Sequence, residues 1–269
     1  MKRFGKIVAV AAACAALTGT VAAFSACGTN GGTINISGST SVQPLMQELA
    51  DAYMAEHEGV TINVGAGGSG VGISNAQDGT VDLGMASNEI VGDDAEGITT
   101  IQIATDGIAL IASNDCTVTS VTKDEVYELY VNGTAIQGVI TDAVSRDGSS
   151  GTREAFQDIM GIETIAQMPE LSSQDAVIEN VAAADSIIGY VSLEALSGNN
   201  TIKGLNFEGV APTAENVASG AYTLSRPFNI MYNTANGMSD LTADFVDFIF
   251  SEAGAAIIEE NGQVVVERN

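Results

Sequence analysis

The chain has 269 residues, 45% of them hydrophobic, which is enough to bury a sizeable core. It contains 34 acidic residues against nine lysines and arginines, a formal net charge of −25. Because such a charge repels nucleic-acid phosphates, we expect no nucleic-acid partner.

The N-terminal segment has the pattern of a lipoprotein export signal over residues 1–26. Three basic residues precede an uncharged apolar run, and small residues then lead into a cysteine. We predict that Cys27 carries lipid and anchors the protein to the outer face of the cell membrane. Residues 27–32 are predicted to form a flexible tether. A simple secretory signal and a retained membrane helix are the alternatives.

The next part of the chain alternates strand patterns with helix patterns. The predicted strands cover residues 33–37, 60–64, 81–86 and 101–113. Between the first two, an apolar stripe that includes Val42, Leu45 and Leu49 predicts an amphipathic helix. Strands that alternate with helices indicate a mostly parallel sheet with helices on its faces.

The second half continues the same alternation. Helices are predicted at 122–131, 151–160 and 174–184, and strands at 142–146, 187–191 and 226–232, before a C-terminal amphipathic helix that includes residues 241–249. The chain has no low-complexity linker between these halves.

We therefore predict an α/β fold of the periplasmic-binding-protein type, with two lobes joined by crossing strands. Lobe I is predicted to comprise residues 33–108 and 226–269, and lobe II residues 109–225. Each lobe is expected to hold a mostly parallel sheet flanked by helices. A cleft between two such lobes is the expected ligand site.

Three donor-rich loops follow predicted strands, at 38–41, 67–70 and 146–152. Each combines glycine with Ser or Thr at a predicted helix start. Helix N-termini offer unpaired N–H groups and the positive end of the helix dipole, so the three loops suit a small anion. Arg146 and Arg153 lie in the third loop region and could bind oxyanion oxygens in pairs. An ordinary N-cap loop is the alternative for this segment.

Seven segments, taken in order, resemble the phosphate-binding proteins that deliver phosphate to an ABC importer. They are residues 38–45, 67–70, 82–87, 106–109, 146–156, 189–191 and 224–227. The resemblance covers nearly all of the chain after the export signal. It implies two lobes that enclose one inorganic phosphate and a partner in the transmembrane permease of the importer. It also implies a monomer that performs no catalysis and needs no cofactor.

The same resemblance implies a set of ligand residues. Thr40 and Ser41 match the first phosphate loop, and Ser69 lies in the second. The third loop supplies the remaining matches: Arg146, Ser150, Gly151 and Thr152.

Two positions depart from the pattern of the family. Gly68 stands where some members have a ligand serine, and Ser87 stands where some have an aspartate that accepts the ligand's proton, followed by Asn88 where relatives often carry arginine. Ser87 stays in our predicted site, and Asp106 is our candidate for the acceptor. A hinge or turn role is the alternative for Asp106. Arg226 is predicted to be structural.

Three alternative functions are compatible with parts of the sequence. A receptor for sulfate or molybdate is the alternative among binding proteins. An acceptor for the ligand's proton would distinguish a phosphate receptor from a receptor for these anions. A secreted phosphatase or serine hydrolase is the enzymatic alternative, but the single histidine, His57, follows the first helix and no metal-ligand cluster is apparent. The glycines of residues 65–70 fit a dinucleotide pattern that is common by itself.

Overall fold

The computed structural model describes residues 31–196 and 199–268. The predicted signal peptide and the first four residues of the predicted tether, Cys27 among them, lie outside the described residues. In the described part, no helix combines the length and the apolar character needed to cross a membrane.

The first half of the fold alternates strands and helices as predicted. Its elements are β1 Thr33–Gly38, α1 Gln43–Glu56, β2 Thr61–Ala66, α2 Ser69–Asp78, β3 Leu83–Ala86, a 3₁₀ helix Gly92–Ala95 and β4 Ile98–Ser113. The apolar stripe of α1 is buried, with Leu45 and Leu49 almost fully covered. The predicted boundaries lie within three residues of the observed strands.

The second half has shorter strands. It comprises β5 Ser120–Val121, α3 Lys123–Asn132, β6 Asp142–Ala143, β7 Ser145–Arg146, α4 Gly151–Met160, β8 Glu170–Leu171, α5 Gln174–Ala182, β9 Ile187–Ser192, α6 Leu193–Leu196, β10 Ile202–Gly204, β11 Asn206–Phe207 and α7 Ala214–Ala218. The chain then continues through β12 Ser225–Asn233, α8 Asp240–Ile249, α9 Glu252–Glu260 and β13 Val264–Val265.

The prediction of one continuous strand over 142–146 is wrong. The segment divides at Val144, because β6 pairs with β9 while β7 pairs with β8 in a separate two-stranded sheet. This division turns the chain away from the main sheet just before Arg146.

The main sheet is mixed and runs through the whole molecule in the order β2-β1-β3-β12-β4-β9-β6. The outer pairs β1 with β2, β1 with β3, and β6 with β9 are parallel. The central strands β4 and β12 pair antiparallel with each other and with their other neighbours in this order. With 16 residues, β4 extends over about 50 Å and links the two ends of the sheet.

Two large hydrophobic cores lie at the two ends of this sheet. The first includes Ile34, Leu49 and Phe245, together with Ala104 of β4. The second is built around α3, α4, α5 and β9, and β4 enters it from Ile108 onward. These cores make the two lobes of the α/β architecture. The exact lobe boundaries at 108/109 and 225/226 stay predictions.

Candidate functional site

The three predicted loops meet where the two lobes face each other. The first loop connects β1 to α1, the second connects β2 to α2, and the third connects β7 to α4. Because β1 and β2 are parallel neighbours, their carboxyl ends bring the first two loops to one edge of the sheet. Helices α2 and α4 begin directly at their loops, so their N-terminal dipoles favour negative charge there.

Hydrogen bonds connect the first two loops with the third, across the two lobes. Nη2 of Arg146 donates to Oγ1 of Thr40 at 2.8 Å, and the hydroxyls of Ser41 and Thr152 lie 2.9 Å apart. The backbone N–H of Gly70 donates to the carbonyl of Ser149 at 3.2 Å. The three predicted loops, residues 38–41, 67–70 and 146–152, are therefore brought into one cluster, which we call the cradle.

Arg146 is fixed in the cradle by backbone acceptors. Its Nε donates to the carbonyl of Leu171 and its Nη2 to that of Ser172, both at 3.1 Å. Only 1% of the residue is exposed. Burial, and then the positive charge of Arg226, lower the pKa of Arg146 from its ordinary value. A guanidinium held this way keeps a fixed orientation toward Thr40.

The start of α4 supplies small polar groups at close range. Ser150 caps the helix, its Oγ accepting from the N–H of Arg153 at 3.3 Å. Ser150, Gly151 and Thr152 are all buried. A Cβ on Gly151 would collide with the side chain of Ser69 and with Oδ1 of Asn88. Glycine therefore permits this close approach of α4 to the opposite lobe.

A buried chain of hydroxyls lies behind the cradle. Oγ of Ser39 donates to Oγ of Ser87 at 2.9 Å, and the backbone N–H of Ser87 donates to Oγ of Ser69 at 3.0 Å. We did not predict Ser39 as a site residue, although it lies beside Thr40 in the first loop. Its role depends on the distance between β1 and β3, which the local motif does not give.

Asp106 lies deeper than the cradle and is paired with Arg226. Nη2 of Arg226 is 3.0 Å from Oδ2 of Asp106, with both side chains fully buried. Oδ1 of Asp106 accepts from the N–H of Leu193 at 3.3 Å. Burial raises the pKa of Asp106 to about 6, and the charge of Arg226 opposes this effect. Nη1 of Arg226 donates to Oγ of Ser87 at 3.4 Å, so the pair is connected to the cradle through one hydroxyl.

The remaining charged residues near the third loop have structural contacts. Arg153 donates to the carbonyl of Arg146 at 3.0 Å and forms an ion pair with Glu170 at 2.8 Å. Oδ1 of Asp147 accepts from the N–H and the hydroxyl of Ser149 and so orders the loop. These contacts favour a supporting role for both Arg153 and Asp147.

A cavity of about 770 Å³ borders α4, and Ser150 and Arg153 contribute to its wall. Glu154, Asp158 and Glu163 also line it, and their negative charges oppose an anion. The cradle therefore remains the better candidate for an anion site.

Other chemistries find little support in residues 31–196 and 199–268. Within these ranges, no group of three or more His, Cys, Asp or Glu side chains is placed to hold a metal ion. The ring of His57 stacks on Tyr53 at a centroid distance of 3.8 Å, at the far end of α1 from the first loop. The 14-residue helix separates that histidine from the cradle by about 20 Å.

Comparison with known proteins agrees with this geometry. The family model of the PBP superfamily domain matches residues 25–253. The phosphate-binding protein PstS of Bacillus subtilis (strain 168) is 32% identical over 248 residues, which cover 87% of this chain and 81% of that relative. The chain belongs to the phosphate-binding protein family.

Solved structures related to the phosphate-binding protein family have the same fold. One from Clostridium perfringens, described as a phosphate ABC transporter substrate-binding protein with bound phosphate, has a TM-score of 0.82 at 32% identity and covers 88% of this chain and 100% of its own. An ABC-type phosphate transport receptor from Vibrio cholerae has a TM-score of 0.72 at 30% identity, with coverages of 87% and 100%. The predicted two-lobed α/β fold is thereby confirmed.

Proposed function

We propose that this protein captures inorganic phosphate between its lobes and delivers it to the permease of an ABC importer. Membership of the phosphate-binding protein family supports the ligand, and the descriptions of the Clostridium perfringens and Vibrio cholerae proteins support the transporter partner. The observation that carries the proposal is the buried Arg146, which reaches Thr40 across the lobes at 2.8 Å.

In this proposal the anion joins the two lobes. Its oxygens take over hydrogen bonds that the cradle hydroxyls and Arg146 otherwise make with one another. Thr40, Ser41 and Ser69 bind from lobe I, while Arg146 and the start of α4 bind from lobe II, where the other three proposed ligand residues lie: Ser150, Gly151 and Thr152. Hydrogen bonds to charged groups contribute about 1.5–3 kcal/mol each, and micromolar binding needs about 8 kcal/mol in total.

Ser87 and the Arg226–Asp106 pair, which lie behind the proposed ligand residues, influence this binding. Ser87 passes a hydrogen bond between Ser69 and the Arg226–Asp106 pair. That pair has little net charge while Asp106 is ionised, so Arg146 provides the main positive charge for the anion. Because the whole chain has a net charge of −25, this local charge and the helix dipoles must hold the ligand.

We further propose that the protein acts outside the cytoplasm as a lipid-anchored monomer. The signal pattern over residues 1–26 and the cysteine at position 27 support this location. The tether of residues 27–32 would let the lobes reach the permease. The protein is proposed to bind without catalysing a reaction, since its single histidine lies about 20 Å from the cradle along α1.

Isothermal titration calorimetry with phosphate tests the site. The protein is first freed of anion by unfolding and refolding. We expect micromolar or tighter binding to the unaltered protein and at least a 100-fold loss in Arg146→Ala. Arg268→Ala is the matched control. It also removes one arginine, but Arg268 lies near the C-terminus and pairs with the exposed Asp247. Unchanged affinity in Arg146→Ala would refute the assignment.

Titration with sulfate and molybdate tests the alternative ligands. Tighter binding of either anion than of phosphate would transfer the proposal to that oxyanion. Incubation of the protein with a chromogenic phosphate monoester tests for catalysis, and we expect no release of product above the rate in buffer.

A further inference from the structure

Asn88 has a buried amide whose orientation is fixed by two acceptors. It follows β3, and 1% of the residue is exposed. Its Nδ2 donates to the carbonyl of Glu89 at 2.9 Å and to Oε2 of Glu154 at 3.1 Å. Both acceptors require the nitrogen on that side, so the amide oxygen points the other way. The bond to Glu154 also links β3 of one lobe to α4 of the other.

The amide oxygen of Asn88 has no hydrogen-bond partner within the described ranges. It lies at the edge of the cradle, because a Cβ on Gly151 would meet both this oxygen and Oγ of Ser69. A buried acceptor left unpaired costs about 1–3 kcal/mol. Such a cost at the edge of a binding site points to a donor that arrives with the ligand.

The neighbouring groups narrow the identity of that donor. Arg146 can only donate, and the hydroxyls of Thr40, Ser41 and Ser69 can donate to an anion. Oδ1 of Asn88 can only accept. A ligand that satisfies all of these groups must present several acceptor oxygens and one hydrogen-bond donor. Phosphate near neutral pH carries at least one proton on oxygen, whereas sulfate carries none.

Asp106, our initial candidate for this role, is already occupied. Its Oδ2 accepts from Arg226, and its Oδ1 accepts from the N–H of Leu193. Arg226 and Ser87 connect it to the cradle. We therefore propose that Oδ1 of Asn88 accepts the hydrogen bond from the P–OH group of bound phosphate and so selects a protonated oxyanion. This inference rests on the proposed phosphate function and assigns one neutral amide as its specificity determinant.

The test compares phosphate and sulfate affinities of two variants by calorimetry at one pH. Asn88→Ala removes the acceptor, whereas Glu154→Ala removes the partner of Nδ2 in the opposite lobe and leaves Oδ1 in place. We expect Asn88→Ala to bind phosphate 10- to 100-fold more weakly and sulfate as well as before or better, so the phosphate-to-sulfate ratio falls at least tenfold. Glu154→Ala removes one contact of Asn88 and one negative charge near the cradle, so it should change both affinities in the same direction and leave the ratio unchanged.

A fall in both affinities by the same factor in Asn88→Ala would overturn the inference and leave Asn88 as a structural contact. If the unaltered protein does not bind phosphate, the proposed function itself is refuted. If Asn88→Ala does not fold, NMR of the unaltered protein decides. Phosphate should shift the side-chain carbonyl carbon of Asn88, and sulfate should shift it much less. Equal shifts with both anions would refute the inference.

Discussion

Arg226 and Asp106 lie directly opposite each other on the antiparallel strands β12 and β4, and their side chains form a fully buried ion pair at 3.0 Å. These are the two central strands of the sheet that extends through both lobes. A single hydroxyl, that of Ser87, connects the pair to the cradle. The pair therefore links the packing of the central strands to the electrostatics of the site.

We predict that Asp106→Ala is strongly destabilising, because it leaves the buried guanidinium of Arg226 without the carboxyl group that accepts its hydrogen bonds and faces its charge. The expected loss in the free energy of unfolding is about 3–5 kcal/mol at pH 7. Urea denaturation followed by circular dichroism measures it. The double replacement Asp106→Leu with Arg226→Met removes both charges and should recover most of the loss. A double variant as unstable as Asp106→Ala would show that packing, and not the unpaired charge, dominates.

The pKa of Asp106 also predicts a pH dependence. Burial raises this pKa from 3.8 in the unfolded chain to about 6 in the folded protein, so the folded state holds the proton more tightly. The stabilising contribution of the protonated carboxyl is then complete below about pH 4 and is lost as the pH rises to about 6. The shift corresponds to about 3 kcal/mol.

Comparison with Asp106→Asn isolates this contribution from the other carboxylates that titrate in the same range. The free energy of unfolding of the unaltered protein, minus that of the variant, should fall between pH 4 and pH 6 and be constant above about pH 7. Chemical denaturation at half-unit pH steps measures this difference. A difference that rises over that interval would contradict the raised pKa.

Gly151 gives a test of how closely the lobes approach each other. We predict that Gly151→Ala binds phosphate about 10- to 100-fold more weakly, since the added Cβ collides with Ser69 and Asn88 and overpacking costs about 1–3 kcal/mol. Gly148→Ala is the matched control in the same loop, because a Cβ there meets nothing within 4 Å. Calorimetry with phosphate gives both affinities. Equal affinities for the two variants would mean that phosphate binds without this close approach.

The sequence predicts elements whose cause is local. The helix at 151–160 was predicted at its observed bounds, since its apolar stripe and the serine before it determine both its buried face and its start. The prediction of one strand over 142–146 is wrong because the outcome for this segment depends on tertiary pairing. Its composition favours extended backbone throughout, but the partner strand changes from β9 to β8 at Val144, which is a property of the tertiary structure.

The candidate site also combines features that the local sequence predicts with features that depend on tertiary structure. Its loops could be identified from glycine and hydroxyl residues placed before helices. The partner of Arg226 could not, because Asp106 is 120 positions away and the contact depends on the register of β12 against β4. The unpaired oxygen of Asn88 is equally hidden, because it results from the contact of Asn88 with Glu154 of α4.

The buried hydroxyl of Tyr190 contacts the backbone of Arg146. This hydroxyl lies 2.7 Å from Oγ of Ser145 and accepts from the backbone N–H of Arg146 at 3.1 Å, while its ring stacks on Phe156. Tyr190→Phe keeps the ring packing but leaves that buried N–H unpaired. We expect a loss of about 1–3 kcal/mol in the free energy of unfolding.

The same replacement should lower phosphate affinity by less than tenfold, because backbone carbonyls hold the guanidinium of Arg146 independently of Tyr190. Tyr222→Phe is the matched control: its hydroxyl is equally buried and donates to the carbonyl of Ile108 at 2.8 Å. That variant should lose similar stability and no affinity. Urea denaturation and phosphate calorimetry on both variants measure the two effects. A 100-fold loss of affinity in Tyr190→Phe alone would mean that the backbone position of Arg146, and not its side-chain contacts, controls the geometry of the cradle.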